Sequence, residues 1–164
     1  MTVGIWLGHE RHGFDYGNPQ QLQQQREAVK RAVEALRDHP AVLTWGLGNE
    51  MEGPTGSGDS PEIWQEVDRL AGLIKSLDDA HPVMTVVANV NPAKVAAIKR
   101  YAPQVDILGV NVYGNASGIG GQLRQLGWEK PHGITEYGLP GPWEVGNTSW
   151  NAPLEPPRRQ KAGV

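Results

Sequence analysis

Apolar positions along the chain follow two spacings in turn. Short dense runs predict strands at Val3–Leu7, Ala41–Leu47, Pro82–Val90, Val105–Val112 and His132–Glu136. Between them the spacing becomes helical. Leu22, Val29, Ala32, Val33 and Leu36 share one face after Asn18-Pro19, a cap followed by proline at the first helical position, and the helix is expected to stop before His39-Pro40. Ser60-Pro61 repeats that signature ahead of the stripe Trp64, Val67, Leu70, Ala71, Ile74 and Leu77. Pro92–Tyr101 predicts a short helix and Gly121–Leu126 a further helical turn or two. Gly8–Asn18 and Met51–Asp59 read as loops, Gly and Pro dominate from Gly138 onward, and Pro153–Val164 shows no period.

Strands joined through helices imply parallel pairing, so the fold class is α/β. Five such units suit either an open doubly wound sheet or part of a (β/α)8 barrel. A nucleotide-binding sheet needs a glycine-rich turn directly between strand and helix, and Gly118-Ile-Gly-Gly121 lacks the G-x-G-x-x-G frame. The strand-and-helix units run over residues 1–138, and an irregular Gly/Pro-rich stretch follows over 139–164.

Composition narrows the chemistry. A length of 164 residues suits about one domain, and a net charge of -3 argues against nucleic acid or an anionic membrane as partner. No apolar run is long enough to cross a bilayer. The absence of cysteine excludes disulfides, thiol catalysis and thiolate metal sites, and leaves the compartment open. Six tryptophans stand out, because indole faces stack on sugar rings, although each also serves as core filler.

Two glutamates carry the candidate chemistry. Glu50 follows the run Ala41–Gly48 and Asn49, and Glu136 closes the run ending Gly133-Ile-Thr-Glu136. In a parallel α/β barrel the reacting groups gather where strands end, so two carboxylates placed there can meet over one pocket. Tyr113 ends the intervening strand, where its phenol can donate to a carboxylate and hold it ionised. Asn49 beside Glu50 can hold a sugar hydroxyl. His9, Glu10, His12 and Asp15 crowd the loop after the first strand. They lack the H-E-x-x-H spacing, so a polar pocket wall suits them better than a metal site, and no metal or other cofactor is expected. Trp143 and Trp150, flanking Glu144, offer either a sugar-stacking platform or packing for the late loop.

Taken together, Arg37-Asp-His-Pro-Ala-Val-Leu-Thr-Trp-Gly-Leu-Gly-Asn-Glu50, Leu77-Asp-Asp-Ala-His-Pro82, Val105-Asp-Ile-Leu-Gly-Val-Asn-Val-Tyr113 and Lys130-Pro-His-Gly-Ile-Thr-Glu-Tyr-Gly138 resemble the barrel domain of clan A glycoside hydrolases. The resemblance is nearest to family 2, the group of β-galactosidases, β-glucuronidases and β-mannosidases, and it extends to about Gly138. It implies a retaining β-glycosidase acting on a carbohydrate substrate. Glu50 would be the acid/base at the end of barrel strand four and Glu136 the nucleophile at the end of strand seven. Asn49, Tyr113, His9, Glu10 and Trp143 would line the substrate pocket. The chain would then span barrel strands three to seven, with strands one, two and eight and any further domains supplied by a longer enzyme. An open five-stranded sheet with helices on its convex side and an exposed concave face is expected. Such a chain in isolation is expected to aggregate or to turn over aryl glycosides negligibly. The rival readings are an inert or sugar-binding remnant, and an unrelated barrel enzyme using a metal at His9, Glu10 and His12.

Overall fold

Strand and helix do alternate through residues 1–52 and 57–139, which the computed structural model describes. The strands are β1 (Thr2–Ile5), β2 (Thr44–Leu47), β3 (Val83–Ala88), β4 (Ile107–Tyr113) and β5 (His132–Gly138). The helices are α1 (Pro19–Leu36), α2 (Pro61–Leu77), α3 (Pro92–Tyr101) and α4 (Ile119–Gln125), with single 3-10 turns at Glu10–His12 and Ala116–Gly118. None of the described helices is long and apolar enough to cross a membrane.

Local chemistry starts the helices. The Asn18 side chain accepts from the Gln20 and Gln21 amides, and Asn91 accepts from Lys94 N at 2.8 Å, so each satisfies backbone donors that the first helical turn leaves free. Ser60 occupies the capping position of α2 but does not cap; its hydroxyl bonds Glu62 instead. The α1 and α2 helices are tied together by Glu66, 1% exposed, which takes the Arg26 Nε and Nη2 donors at 2.9 and 2.6 Å. Arg69 adds a third contact to the same carboxylate at 3.2 Å.

All pairings are parallel and sequential, in the order β1-β2-β3-β4-β5. The result is an open half-barrel, a partial TIM barrel. Alternate residues of each strand face the helices: Trp45 and Leu47, Val83 and Val87, Leu108, Val110 and Val112 pack with Val29 and Val33, with Leu70 and Ile74, and with Ile98 and Leu123 in one core. The other face is more closely packed than the expectation of an open concave surface. Met84 and Val86 are only 7% and 6% exposed there. A Cβ at Gly109 would lie 2.8 Å from Thr135, 2.9 Å from Val86 and 3.2 Å from Met84. Curvature brings these inward side chains onto one another, so the central strands cover themselves. Exposure instead collects on the outer strands, at Trp6 beside β1 and at Ile134 and Tyr137 on β5. These strands have a sheet neighbour on one side only among the described residues.

Strand limits differ from the sequence reading at several ends. Ala41–Leu43 precede β2 rather than belonging to it, because Val42 N bonds back to the His39 carbonyl in a turn. In contrast, β5 runs on to Gly138, paired through Tyr113↔Gly138. Of the stretch 139–164, residues 140–164 lie outside the described residues.

One polar hub secures the base of the sheet. Asp78 Oδ2 accepts from Trp45 Nε1 and from His81 Nδ1, both at 2.8 Å, and its Oδ1 accepts from Ala80 N at 3.0 Å. Burial alone raises the Asp78 pKa, but these donors outweigh it and hold the carboxyl below its ordinary value of 3.8. A carboxyl depressed in the folded state contributes stability above its unfolded pKa, and that contribution is lost as pH falls through the folded value. The melting temperature is therefore expected to fall below about pH 4, and Asp78→Asn to flatten that fall while lowering stability at pH 7. A wild-type acid limb unchanged in Asp78→Asn would contradict it.

Candidate active site

Both candidate carboxylates sit at the C-terminal end of the sheet, and β4 is the element that addresses both. After β2 the chain turns through Gly48, φ +71, where a Cβ would clash with Met51 Cγ at 2.8 Å. Asn49 and Glu50 follow. Glu50 is half-buried and adopts φ +53, a left-handed conformation that residues with a Cβ rarely take. Its amide donates to the Val86 carbonyl at 2.9 Å, so the loop stays laced to β3 beyond the end of β2.

Asn111, 2% exposed, reaches across from β4. Its Nδ2 donates to Glu50 Oε1 at 2.9 Å and to Asn49 Oδ1 at 3.1 Å, while its Oδ1 accepts from Thr135 Oγ1 at 2.7 Å. Two positions further along β4, Tyr113 donates its phenol to Glu136 Oε2 at 2.9 Å, as the sequence led us to expect. Glu136 is exposed and lies within β5, two residues before its end. A register shift between Val110 and Asn111 sets Asn111 opposite Glu136, making Thr135 the extra residue of a bulge. Residues i and i+2 share a face of a strand about 6.5 Å apart. One face of β4 thus holds both carboxylates by neutral hydrogen-bond donors.

Asn111 was not singled out in the sequence. The signal available was its parity with Gly109 and Tyr113, which makes it a polar residue on the inward face of an otherwise apolar strand.

The loop after β1 supplies a wall. Gly8 is held at both its polar groups, its amide donating to Gln25 Oε1 and its carbonyl accepting from Tyr16, each at 2.8 Å. His9 is 5% exposed, with its ring 5.1 Å from that of Trp6 and 5.7 Å from that of His12. Burial, then the nearby Arg11 and His12, hold the His9 pKa below 6.5 against the opposing pull of Glu50 and the Asn49 carbonyl. His9, Glu10, Arg11, Tyr16 and Glu50 border a cavity of about 20 Å³, room for a single water. His9 and Glu10 are therefore placed beside Glu50. A wider cleft of about 480 Å³ opens between Trp6, His9, His12 and Phe14 on one side and Gln21, Gln24 and Gln25 of α1 on the other. Among the described residues, no three His, Asp or Glu side chains are grouped to hold a metal ion. Trp143, Trp150 and Glu144 lie outside the described residues.

Residues 5–146 match the glycosyl hydrolases family 2, TIM barrel domain. No curated protein matches the chain. Among solved structures, the chain is similar to a β-galacturonidase of family 2 from Eisenbergiella tayi bound to galacturonate, at 21% identity and TM-score 0.59, covering 90% of this chain and 25% of that one. It is also similar to β-D-glucuronidase of Dictyoglomus thermophilum, at 22% identity and TM-score 0.55, covering 80% and 23%. A third likeness is to β-1,4-mannanase from the sea hare Aplysia kurodai, at 17% identity and TM-score 0.52, covering 75% and 48%. At these identities the likeness is one of fold, and the chain spans a quarter or less of the two longer enzymes.

Proposed function

The chain belongs to the glycosyl hydrolases of family 2, within their TIM barrel domain, and from that premise we propose that it carries both reacting carboxylates of a retaining β-glycosidase. The observation that supports this is the pair of contacts from one strand: Asn111 Nδ2 to Glu50 Oε1 and Tyr113 to Glu136 Oε2, each at 2.9 Å. Two donors on one face of β4 direct two carboxylates to the same side, which suits the separation of about 5 Å that double displacement needs.

Each carboxylate then has one oxygen held and one to react with. Glu136, with Oε2 anchored on Tyr113, attacks the anomeric carbon through Oε1. As the bond to the leaving oxygen breaks, Glu50 passes its proton to that oxygen, and a covalent glycosyl ester on Glu136 results. Glu50, now ionised, takes a proton from water as the water oxygen attacks the same carbon. The Glu136 carboxylate is released and the anomeric configuration is retained. Asn49, His9 and Glu10 border the sugar beside Glu50, and Trp143 completes the proposed substrate set. The sugar would be a hexopyranoside or its uronate in β linkage.

A second reading has an observation in its favour. Every residue of β5 is at least partly exposed, Glu136 included, so among the described residues that wall of the pocket is only partly covered. A sugar-binding or inert segment would look the same. A panel of nitrophenyl β-glycosides, with the product anomer followed by proton NMR, separates the two. Because the inner layer around Gly109 is packed rather than open, hydrolysis with retention is expected here in place of the negligible turnover that an exposed concave face implied. Inversion, or no hydrolysis by a cooperatively folded chain, would reject the retaining reading.

A further inference from the structure

Two charged side chains buried at the foot of the site take no part in the chemistry above. Glu52 and Lys94 are 5% and 3% exposed, with Lys94 Nζ 3.0 Å from Glu52 Oε1. They hold Ala88 by both its backbone polar groups. Glu52 Oε1 accepts from the Ala88 amide, and Lys94 Nζ donates to the Ala88 carbonyl and, at 3.4 Å, to that of Asn89. Ala88 ends β3, and Asn89 after it has φ +53. Glu52 stands two residues beyond Glu50, whose own amide is bound to Val86 on the same strand. The far end of the loop is held too: Gly58 N donates to the Glu52 carbonyl at 3.1 Å, and a Cβ at Gly58 would meet Lys94 Cγ at 2.8 Å.

Glu50 and Asn89 are the two residues other than glycine with positive φ among the described residues; the ion pair bonds the backbone at Ala88 and Asn89, and its Glu52 is two residues along the chain from Glu50. Such conformations persist only where the surroundings fix them. A buried ion pair is rarely more stabilising than an apolar pair of the same size, so what it adds is geometry. Here that geometry is a set of hydrogen bonds joining the Glu50 loop to one defined stretch of β3.

We infer that the buried Lys94–Glu52 pair is a positioning device for Glu50, fixing its left-handed backbone and hence the direction of its carboxylate. This rests on the proposed function for the role of Glu50 as acid/base, and it makes Lys94 and Glu52 positioning residues rather than reacting ones.

The test uses the full 164-residue chain. Lys94→Met alone strands a buried carboxylate and risks unfolding, so the double variant Lys94→Met/Glu52→Gln, which removes both charges, is made alongside it. Amide exchange followed by NMR is expected to show Glu50 N–H exchanging at least ten-fold faster in the double variant, with Leu108 and Val110 still protected. Turnover of a nitrophenyl glycoside, whose departure needs the acid, should fall ten- to hundred-fold. The first step with a 2,4-dinitrophenyl glycoside, which leaves unaided, should change less than three-fold, and added azide should restore deglycosylation. Unchanged protection at Glu50, or equal losses on both substrates, would overturn the inference. Glu50→Ala serves as the reference. If it shows neither leaving-group dependence nor azide rescue, the acid/base reading of Glu50 fails, and the exchange rates still decide whether the pair fixes the loop.

Discussion

Glu136→Gln is expected to lower kcat/KM for an activated aryl β-glycoside by at least about 10⁴-fold, since removing a covalent nucleophile can cost up to about 10⁶-fold. The substitution keeps the volume, and the amide oxygen still accepts from Tyr113, so the arrangement around β5 persists. What disappears is the anionic oxygen that forms the glycosyl ester. Because Glu136 is exposed and its neighbours on β5 are too, the melting temperature should not move. Glu129→Gln, a change of the same kind at an exposed carboxylate outside the site, should leave turnover as it was. A Glu136→Gln chain with a tenth or more of the parental kcat/KM would exclude Glu136 as nucleophile.

The largest expected effect on stability is at Trp45. Its ring is fully buried in the core from the centre of β2, and its Nε1 donates to Asp78 Oδ2 at 2.8 Å. Trp45→Ala empties a large volume between β2 and the helices, which costs about 3–5 kcal/mol. It also withdraws one of the donors that compensate a buried carboxylate, a loss of roughly 1–3 kcal/mol. Set against a total stability of about 5–15 kcal/mol for a domain, that removes much of the margin for folding. Urea unfolding followed by circular dichroism should show the midpoint lowered sharply or the transition lost. A midpoint within about 1 kcal/mol of wild type, by linear extrapolation, would mean that the core is not organised around this ring.

What could be read in advance was what local chemistry determines. The α3 helix has the limits expected, Pro92–Tyr101, because its proline start and apolar spacing lie within one segment. Strand ends were less legible, since pairing partners set them: β5 reaches Gly138 only because Tyr113 lies opposite. Tryptophan shows the same division. The sequence left each ring open to core or sugar, and burial makes Trp45, Trp64 and Trp128 core while Trp6 faces solvent at 65% exposure.

The glutamates and Tyr113 could be found because each ends or follows a strand-like run. Asn111 had only its parity with Gly109 and Tyr113 to mark it, since its importance lies in meeting Glu50 and Thr135, 61 and 24 residues away. Lys94 and Glu52 were hidden for a different reason. A lysine in the first turn of a helix and a glutamate in a glycine-rich loop look like solvated charges until the fold buries both. In the same way, the packed inner layer around Gly109 depends on sheet curvature, which no single strand encodes.

The central claim is that Glu136 attacks the anomeric carbon and forms a covalent ester. The direct measurement is to incubate the chain with 2-deoxy-2-fluoro β-glycosyl fluorides, which form that ester and release it slowly, and then to map the adduct by peptide mass spectrometry. One sugar unit per chain on the peptide containing Glu136, absent from Glu136→Gln, is the result predicted. An adduct on Glu50 or any other residue, or a folded chain that hydrolyses aryl β-glycosides yet takes up no label, would contradict it.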